Sequence, residues 1–431
     1  MSPLTNNNAK RSHGRTLEGM ALGLAVALAV AIHPAASHAA EKQPSISSNI
    51  YKEMKGAQEE LQKGQWQEAI KNLDAALQKS GLTTYDKFKI YDFRSYADVK
   101  LQKYKDAEAD IEAAMATGQY SPEDARTRTK ELFQLAAQNG QYAKAVDYGR
   151  QLADQGVLSA NDLNIMAQLY YLQKDCKNAV IWADKSVAAS RKAGEAPKES
   201  AFQFKLQCAS DTGNMASMEG PLMDLIRLTN KVNYWNTLLR IERQDERDDH
   251  NTLMIYRIMY NTQSMKEGSD YIEMAQLLGD AALPEEAVTV LSKAMSLGLI
   301  KPEQQERTTR LLNAFQARAD ADKKQLASED AEASKSPMGE LDVKQGEVYY
   351  GLGNYQKAID LINAGLQKGQ IKHLDEAYVY LGLSQAQLKN YADAKKALAN
   401  LKNVPNISPR VLKLWDLYAS TLGMPLVAAS S

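Results

Sequence analysis

The sequence predicts an all-α protein built as a solenoid of helical hairpins, and three observations support this fold class. Ala, Leu, Lys, Glu and Gln, which are strong helix formers, dominate the composition, with only 12 prolines in 431 residues. A short pattern of an aromatic residue followed by alanine recurs at intervals of 34 to 39 residues. No stretch shows the apolar–polar alternation, bounded by turn signals, that indicates a strand. The length suits an elongated repeat array better than one ordinary core.

The first 39 residues have the layout of a secretory signal peptide. Lys10 and Arg11 open a basic stretch, an apolar run covers residues 20–32, and the small residues Ser37 and Ala39 follow. The apolar run is shorter than the roughly 20 residues that a membrane-spanning helix needs. We therefore expect cleavage after Ala39 and a periplasmic mature chain, with an uncleaved membrane anchor as the alternative.

Charge excludes one class of partner. Removing residues 1–39 takes away three basic residues and one acidic residue, so the formal net charge changes from −1 to −3. A nearly neutral chain lacks the basic footprint of a nucleic-acid-binding protein. No later segment has the length and hydropathy of a membrane span. We therefore expect no nucleic-acid partner and no integral membrane span once the signal peptide is removed.

The recurring pattern is a Gly or polar pair, an aromatic residue, two polar residues and then alanine. The aromatic positions, with three variants included, are Trp66, Tyr104, Tyr142, Cys176, Met215, Pro284, Tyr355 and Tyr391. Wider gaps on either side of Pro284 equal about two periods each. Two degenerate repeats are therefore predicted, one near residues 233–262 and one near residues 302–335.

This pattern describes the corner of a helical hairpin. The Gly or polar residue ends the first helix in a left-handed conformation, and the alanine lets the second helix approach closely. Nine residues before the corner aromatic a small residue recurs, at Ala57, Ser95, Ala167, Gly346 and Gly382. The repeat around Tyr142 departs from this rule, since Phe133 occupies its small-residue position.

These residues resemble the tetratricopeptide repeat, a two-helix unit of about 34 residues. The resemblance covers residues 49–402 and implies a right-handed superhelical solenoid of about nine to ten hairpins. A helix near residues 408–422 would cap its end. The proline that ends the family's repeats is mostly missing, and several repeats are a few residues longer. An unrelated array of α-hairpins is the alternative.

One segment interrupts the array. Residues 316–337 contain a single large apolar residue, Leu326, and cannot bury a face, so they form either a charged, solvated helix or a mobile linker. We take them as the boundary between an N-terminal array at 40–315 and a C-terminal array at 338–423. Residues 424–431 are predicted to be a disordered tail.

Residue types that carry catalysis are scarce. Beyond residue 39 the histidines are His250 and His373, which are distant in sequence and are predicted to lie exposed at helix ends. No metalloprotease, phosphate-binding, nucleophile-elbow or C-x-x-C motif is present. We predict no catalytic residue, metal or cofactor, and a protein that is not an enzyme. The charged run at 240–249 is predicted to be a turn in which Asp248 or Asp249 caps the next helix.

The two cysteines are candidates for a disulfide. Export would place them in an oxidising compartment. Cys176 occupies a corner position, and Cys208 falls in the first helix of the next repeat, against which that corner should pack. The alternative is a pair of buried thiols.

Architecture suggests a protein-binding role. Stacked hairpins present an extended face lined by their first helices, and aromatic residues there can anchor a partner. The predicted binding residues are Tyr171, Tyr350, Tyr378 and Tyr380. Tyr170 and Tyr349 occupy positions where the family packs a tyrosine inside. The expected partners are other envelope proteins or peptides, and the oligomeric state is left open.

Residues 233–300 suggest a more specific role for the protein. Their segments 235–239, 256–257, 270–275 and 284–287 resemble periplasmic tetratricopeptide proteins encoded beside TonB–ExbB–ExbD systems. The resemblance implies a role in TonB-dependent transport across the outer membrane. A periplasmic carrier or chaperone for an outer-membrane protein or polysaccharide is the alternative, and an enzyme is a third.

Overall fold

The computed structural model describes residues 45–244, 246–405 and 407–428. Within these ranges it contains twenty α-helices, one short 3-10 helix and no strand beyond an isolated bridge. None of the helices there is long and apolar enough to cross a membrane. The all-α prediction is confirmed. The predicted signal peptide, residues 1–39, lies outside the described residues.

The chain forms two compact units, which divide between Ala189 and Ser190. The helices that begin in the first unit are α1 (Tyr51–Gln62), α2 (Trp66–Leu77), α3 (Thr84–Lys100), α4 (Tyr104–Ala116), α5 (Pro122–Gln138), α6 (Tyr142–Asp154), α7 (Ala160–Leu172) and α8 (Cys176–Lys192). Neighbouring helices pack pairwise, as α1 with α2, α3 with α4 and α5 with α6. The core of this unit lies between neighbouring helices.

The second unit holds twelve more helices in the described ranges. They are α9 (Glu199–Asp211), α10 (Met215–Thr229), α11 (Val232–Gln244), α12 (Asp249–Asn261), α13 (Gly268–Asp280), α14 (Pro284–Ser296), α15 (Pro302–Lys335), α16 (Glu340–Gly351), α17 (Tyr355–Lys368), α18 (Leu374–Gln387), α19 (Tyr391–Ala399) and α20 (Pro409–Thr421). The short 3-10 helix at Asn400–Asn403 follows α19. The degenerate repeat predicted near 233–262 is the pair α11 and α12.

The same backbone motif ends the first helix at each corner that carries the sequence pattern. Before Trp66, Gly64 has φ of +73°, and the amide of Gln65 donates to the carbonyl of Glu60 over 2.9 Å. This six-residue closure with a left-handed residue is the Schellman motif. It recurs before Tyr104, Tyr142, Cys176, Met215, Pro284, Tyr355 and Tyr391. The corner pattern in the sequence therefore indicates where the first helix of such a hairpin ends.

The predicted small residues lie where paired helices approach most closely. A Cβ added at Gly346 would lie 2.5 Å from Cγ1 of Ile362, and one at Gly382 would lie 2.6 Å from Cγ of Leu398. These distances are too short for any side chain to fit without movement. Gly346 and Gly382 therefore set the spacing of α16 against α17 and of α18 against α19.

The exception at Tyr142 is compensated on the partner helix. Phe133 is fully buried in α5, and the facing residue in α6 is Gly149. A Cβ at Gly149 would lie 3.0 Å from Cε2 of Phe133 and 2.2 Å from Sδ of Met166. The large and small residues have exchanged helices, so the hairpin keeps its close packing.

Gly149→Ala is therefore expected to lower the free energy of unfolding by about 1 kcal/mol, since crowding outweighs the better helix propensity of alanine. The matched control is Gly56→Ala in α1, where the nearest atom is the movable Nδ2 of Asn72 at 3.1 Å. That control should be neutral or slightly stabilising. Urea unfolding followed by circular dichroism measures both, and equal effects at the two sites would contradict the exchange of large and small residues.

The segment 316–337 lies almost wholly in a helix, which was one of its two predicted forms. Residues 302–335 form one continuous helix, α15, so the degenerate hairpin predicted there is wrong. Phe315 packs on Gly279, and Nζ of Lys368 donates to the carbonyl of Ala333 over 2.8 Å. Both ends of the polar stretch are thus anchored in the second unit. The division into arrays at 40–315 and 338–423 is wrong as well, because α14 packs against both α15 and α16.

The disordered tail predicted at residues 424–431 is partly ordered in the structure. Val427 donates its amide to the carbonyl of Asn230 over 3.1 Å and accepts from the amide of Val232 over 2.9 Å. Asn230 also donates its side-chain amide to the carbonyl of Met424. Residues 424–427 are therefore ordered by backbone pairing, whereas residues 429–431 lie outside the described ranges.

The capping helix occurs where the sequence predicted it. Trp415 in α20 is fully buried, and α20 packs against α19, α12 and α10. Arg410 of the same helix donates to the carbonyl of Glu242 over 3.1 Å. Since α10 and α12 come early in the second unit and α19 comes late, α20 joins the two ends of this unit.

Candidate functional site

Two of the predicted binding tyrosines belong to the core of the second unit. Tyr380 is fully buried and Tyr350 nearly so, with their ring centroids 5.0 Å apart. Neither is an exposed anchor on an open face, because Tyr380 has no exposed surface and Tyr350 keeps only 8%, beside a pocket that it lines. Tyr378 in α18 and Tyr171 in α7 are half-buried, and their role as contacts stays a prediction.

A buried polar network surrounds Tyr380. Arg257, in α12, is 0% exposed and donates to the hydroxyl of Tyr380. That hydroxyl donates in turn to Oε2 of Glu286 in α14 over 2.6 Å, and Nη2 of Arg257 lies 3.5 Å from the same oxygen. The guanidinium carbon lies 4.4 Å from the centre of the Tyr380 ring. Three helices that are distant in sequence are thus tied together by one charge pair and one hydroxyl.

Further charged groups continue this network along α16 and α18. Nζ of Lys344 lies 2.9 Å from Oε2 of Glu347 and 3.4 Å from Oε2 of Glu376. Glu347 is almost fully buried, and its Oε1 has no hydrogen-bond partner in the described residues. Burial raises the pKa of Glu347 to about 7, and the nearby carboxylate of Glu376 acts in the same direction.

The two histidines meet at the edge of the network. Their ring centroids are 5.9 Å apart, although 123 residues separate them in sequence. Nε2 of His250 lies 2.6 Å from Oδ2 of Asp375, and this hydrogen bond raises the pKa of His250. His250 and His373 do lie at helix ends, as predicted, but both are half-buried rather than exposed. Asp248 caps α12 by accepting from the amide of Asn251, as predicted, but residues 240–244 of the charged run belong to α11 rather than to a turn.

A pocket of about 310 Å³ opens beside the network. It lies where the ends of α12, α16 and α18 and the start of α17 meet α14. Its lining consists of Tyr260, Glu286, Thr289, Val290, Lys293, Tyr350, Gly351, Leu352, Gly353, Tyr355 and Gln387. Glu286 and Tyr350 belong to both the pocket and the buried cluster.

The pocket contains one lysine, Lys293, whose positive charge is half-buried. Its ammonium lies 4.2 Å from the ring centroid of Tyr260, and burial lowers its pKa. Among the ion pairs of the described residues, none includes Lys293. Sequence reasoning missed this residue, since a lone lysine on a repeat helix is ordinarily solvated. It treated Tyr355 only as a corner residue. The arrangement offers recognition through aromatic walls and one positive charge.

Metal binding has no visible basis in the part of the chain that the structure describes. No group of three or more His, Cys, Asp or Glu side chains there could hold a metal ion. The His250–Asp375 contact is instead a hydrogen bond linking α12 to α18, and it becomes an ion pair when His250 is protonated.

Neither cysteine is a free thiol in the structure, and Cys176 and Cys208 are both disulfide-bonded. A count of free thiols on oxidised, denatured protein is therefore expected to give none, and the count after reduction should give two. Two reactive thiols before reduction would contradict the disulfide and favour buried thiols.

Comparisons with known proteins identify the repeat. Residues 343–406 match the family model of the tetratricopeptide repeat. This stretch covers the corners at Tyr355 and Tyr391 and the close contacts of Gly346 and Gly382. No curated protein matches the sequence.

Three solved structures are among those similar to the chain. A tetratricopeptide repeat protein from Parabacteroides merdae is 15% identical with a TM-score of 0.32, covering 63% of this chain and 100% of that chain. The C-terminal part of a repeat protein of this kind from Cytophaga hutchinsonii is 14% identical with a TM-score of 0.30, covering 84% and 98%. The tetratricopeptide domain of P58(IPK) is 14% identical with a TM-score of 0.23, covering 87% and 98%.

Proposed function

We propose that the chain is an exported adaptor that holds segments of other envelope proteins, since residues 343–406 match the tetratricopeptide repeat, a fold that serves as a scaffold for protein–protein interaction. The observation that carries the proposal is the corner geometry that eight helical hairpins of the described residues share. Such stacks present long helix-lined surfaces that suit extended or helical segments of a partner. The fold is typical of non-catalytic scaffolds, and function is argued from the surface that the repeats create.

Export is the first part of the proposal, and it is supported by the basic, apolar and small-residue layout of the first 39 residues. The test is to express the full chain with a C-terminal tag in a Gram-negative host and release the periplasm by osmotic shock. The released protein should begin at Ala40. A matched chain lacking residues 2–39 should stay in the cytoplasm. Recovery of the full-length chain in the membrane fraction would instead indicate an uncleaved anchor.

The partner is the second part. The resemblance of residues 233–300, which form α11 to α14, supports an association with a TonB–ExbB–ExbD energy-transducing complex. In-cell crosslinking followed by purification of the tagged chain should recover components of that complex in a stable ratio. Recovery of varied, unfolded outer-membrane proteins would favour the carrier or chaperone alternative. If the crosslinked, purified chain carries no envelope protein, the adaptor proposal is wrong.

A further inference from the structure

Residues 409–427 of the second unit are held by helices that come much earlier in the chain. We call this segment, which comprises α20 and the extended stretch after it, the strap. The helix α20 packs against α10 and α12, and the carbonyl of Met424 accepts from the side-chain amide of Asn230, 194 residues earlier. The strap therefore lies in a groove that other helices of the unit form, as a separate ligand would.

The helical part of the strap buries one apolar face. The ring of Tyr418 lies 6.5 Å from the ring of Trp235 in α11, in an edge-on arrangement. The buried residues of α20 recur at helical spacing and are Val411, Leu414, Trp415, Leu417, Tyr418 and Thr421. An amphipathic helix that lays its apolar face into a groove is a recurrent mode of recognition between proteins.

Two carboxylates beside the groove match two basic residues of the strap. Nε of Arg410 lies 3.3 Å from Oε2 of Glu242 in α11. Nζ of Lys413 donates to Oε1 of Glu219 in α10. The groove thus complements an amphipathic helix with a basic edge.

After α20 the strap pairs through its backbone. The amide of Val427 donates to the carbonyl of Asn230 over 3.1 Å, and the carbonyl of Val427 accepts from the amide of Val232 over 2.9 Å. Val232 is the first residue of α11, so its amide has no acceptor within that helix. The strap therefore combines two modes of recognition, since it adds a short extended segment to a helix that is already seated.

Several of these contacts hold the strap only weakly. Among the described residues the indole Nε1 of Trp415 is buried without a hydrogen-bond partner, and the bound strap bears the cost of desolvating that donor. The side chains of Arg410 and Lys413 remain 36% and 50% exposed, so water and salt screen their ion pairs. The backbone pairing consists of one isolated bridge.

The remaining helices of the second unit have ties in which the strap takes no part. Nε2 of His250 lies 2.6 Å from Oδ2 of Asp375, and Arg257 donates to the hydroxyl of Tyr380, so that α12 is joined to α18. The helix α14 packs against α13, α15 and α16. Release of the strap therefore uncovers the groove while these helices stay together.

We propose that the strap is an intramolecular ligand, which occupies the groove beside α10 and α12 in competition with a basic amphipathic helix of a partner protein. The competing segment places basic residues against Glu219 and Glu242 and apolar residues where the strap places Leu414 and Leu417. The fraction of chains with an open strap then sets the apparent affinity for the partner. The inference rests on the proposed adaptor role and adds a means of regulating it.

Native-state hydrogen exchange of the full chain, measured by mass spectrometry, tests whether the strap opens on its own. The amides of α20 and of Val232 should exchange at a common rate, about tenfold or more above that of α18. In a chain with Arg410→Gln and Lys413→Gln this rate should rise about tenfold, while exchange in α18 stays unchanged. Lys396→Gln, which removes an exposed ion pair with Asp393 in α19, is the matched control and should change neither rate. Exchange of the strap only together with α18 would overturn the proposal.

A fluorescently labelled peptide of residues 407–428 tests the groove directly. The chain with the two glutamine replacements should bind this peptide about tenfold more tightly than wild type does, since its own strap leaves the groove open more often. A peptide that carries the same two replacements should bind about tenfold more weakly than the natural peptide. Equal affinity of the natural peptide for both chains would contradict displacement, and equal affinity of the two peptides would contradict the charge matching.

Recovery of the partner separates the strap from the adaptor role. In the crosslinking experiment the chain with Arg410→Gln and Lys413→Gln should recover more of the envelope partner than wild type does. Equal recovery by the two chains means that the strap does not regulate binding, whereas the adaptor role stands. If neither chain recovers an envelope protein while hydrogen exchange and peptide binding behave as expected, the adaptor role fails and the strap remains an intramolecular ligand.

Discussion

Replacing Arg257 by methionine is expected to lower the free energy of unfolding of the second unit by about 3–5 kcal/mol. The guanidinium is fully buried, and it serves both the Tyr380 hydroxyl and the Glu286 carboxylate. Methionine fills a similar volume but leaves the carboxylate of Glu286 buried without its counter-charge. Breaking a buried pair from one side costs more than the pair contributes, because the remaining charge stays desolvated.

The measurement can be confined to the second unit. Trp235 and Trp415 are both fully buried there, whereas Trp66 and Trp182 lie in the first unit. In a background with Trp66→Phe and Trp182→Phe, urea unfolding followed by tryptophan fluorescence reports the second unit alone.

Two further variants separate the loss of charge pairing from a general effect of mutation. Arg310→Met removes an exposed ion pair with Glu306 and should change stability by less than about 0.5 kcal/mol. Adding Glu286→Leu to Arg257→Met should recover part of the loss, since it removes the unpaired charge. Wild-type stability of Arg257→Met, or no recovery in the double variant, would show that the network does not hold α12, α14 and α18 together.

Local features of the fold could be read from the sequence because their causes lie within one repeat. The left-handed residue, the corner aromatic and the small residue of each hairpin interact over fewer than about 20 residues. The cap of α12 by Asp248 is of the same kind, since a cap satisfies amides three residues away. Even the exception at Phe133 is local, because its compensation by Gly149 is in the next helix.

Features that depend on distant pairing could not be read in this way. Arg257 and Tyr380 are 123 residues apart, and nothing around either residue indicates that they meet. The first helices of such repeats carry aromatic residues on both the packed and the open face, so periodicity did not distinguish a core tyrosine from a binding one. Tyr350 and Tyr380 were therefore misplaced. The pocket around Lys293 was missed for the same reason, because five separate helices contribute to it.

The helix α15 could not be predicted from the sequence alone, for a different reason. Its sequence is polar throughout residues 316–337, which suits a linker and a solvated helix equally well. The strong helix formers in this stretch favour a helix, and contacts at its two ends stabilise that helix. The anchors are Phe315 on Gly279 at one end and Lys368 on Ala333 at the other.

Raising the pH from 5 to 8 is expected to destabilise the second unit. Burial raises the pKa of Glu347 and of Glu285 to about 7 each, above the ordinary value of 4.5. Between these two values the folded state holds protons that the unfolded chain has lost. The stabilisation is therefore complete below about pH 4.5 and disappears as the pH rises through 7. Each carboxyl should contribute on the order of 2 kcal/mol.

The His250–Asp375 pair acts in the same direction within this window. The raised pKa of His250 stabilises the folded state below the unfolded value of 6.5 and ceases to do so as the pH rises through the folded value. The pKa of Asp375 is lowered, so its contribution is lost only in acid, below the range considered. The charged groups that face Glu347 are Lys344, Glu376 and Arg257.

Urea midpoints of the second unit, measured at pH 5, 6, 7 and 8 in the same tryptophan background, test this expectation. Glu347→Gln should remove roughly half of the carboxyl contribution to the decline, since one of the two raised carboxyl pKa values is lost while Lys344 keeps its contact with Glu376. Glu306→Gln, on the exposed face of α15, should leave the decline unchanged. If stability instead rose with pH, Glu347 and Glu285 would be ionised in the folded state, and the buried network would be stabilised by carboxylate charge rather than by shared protons.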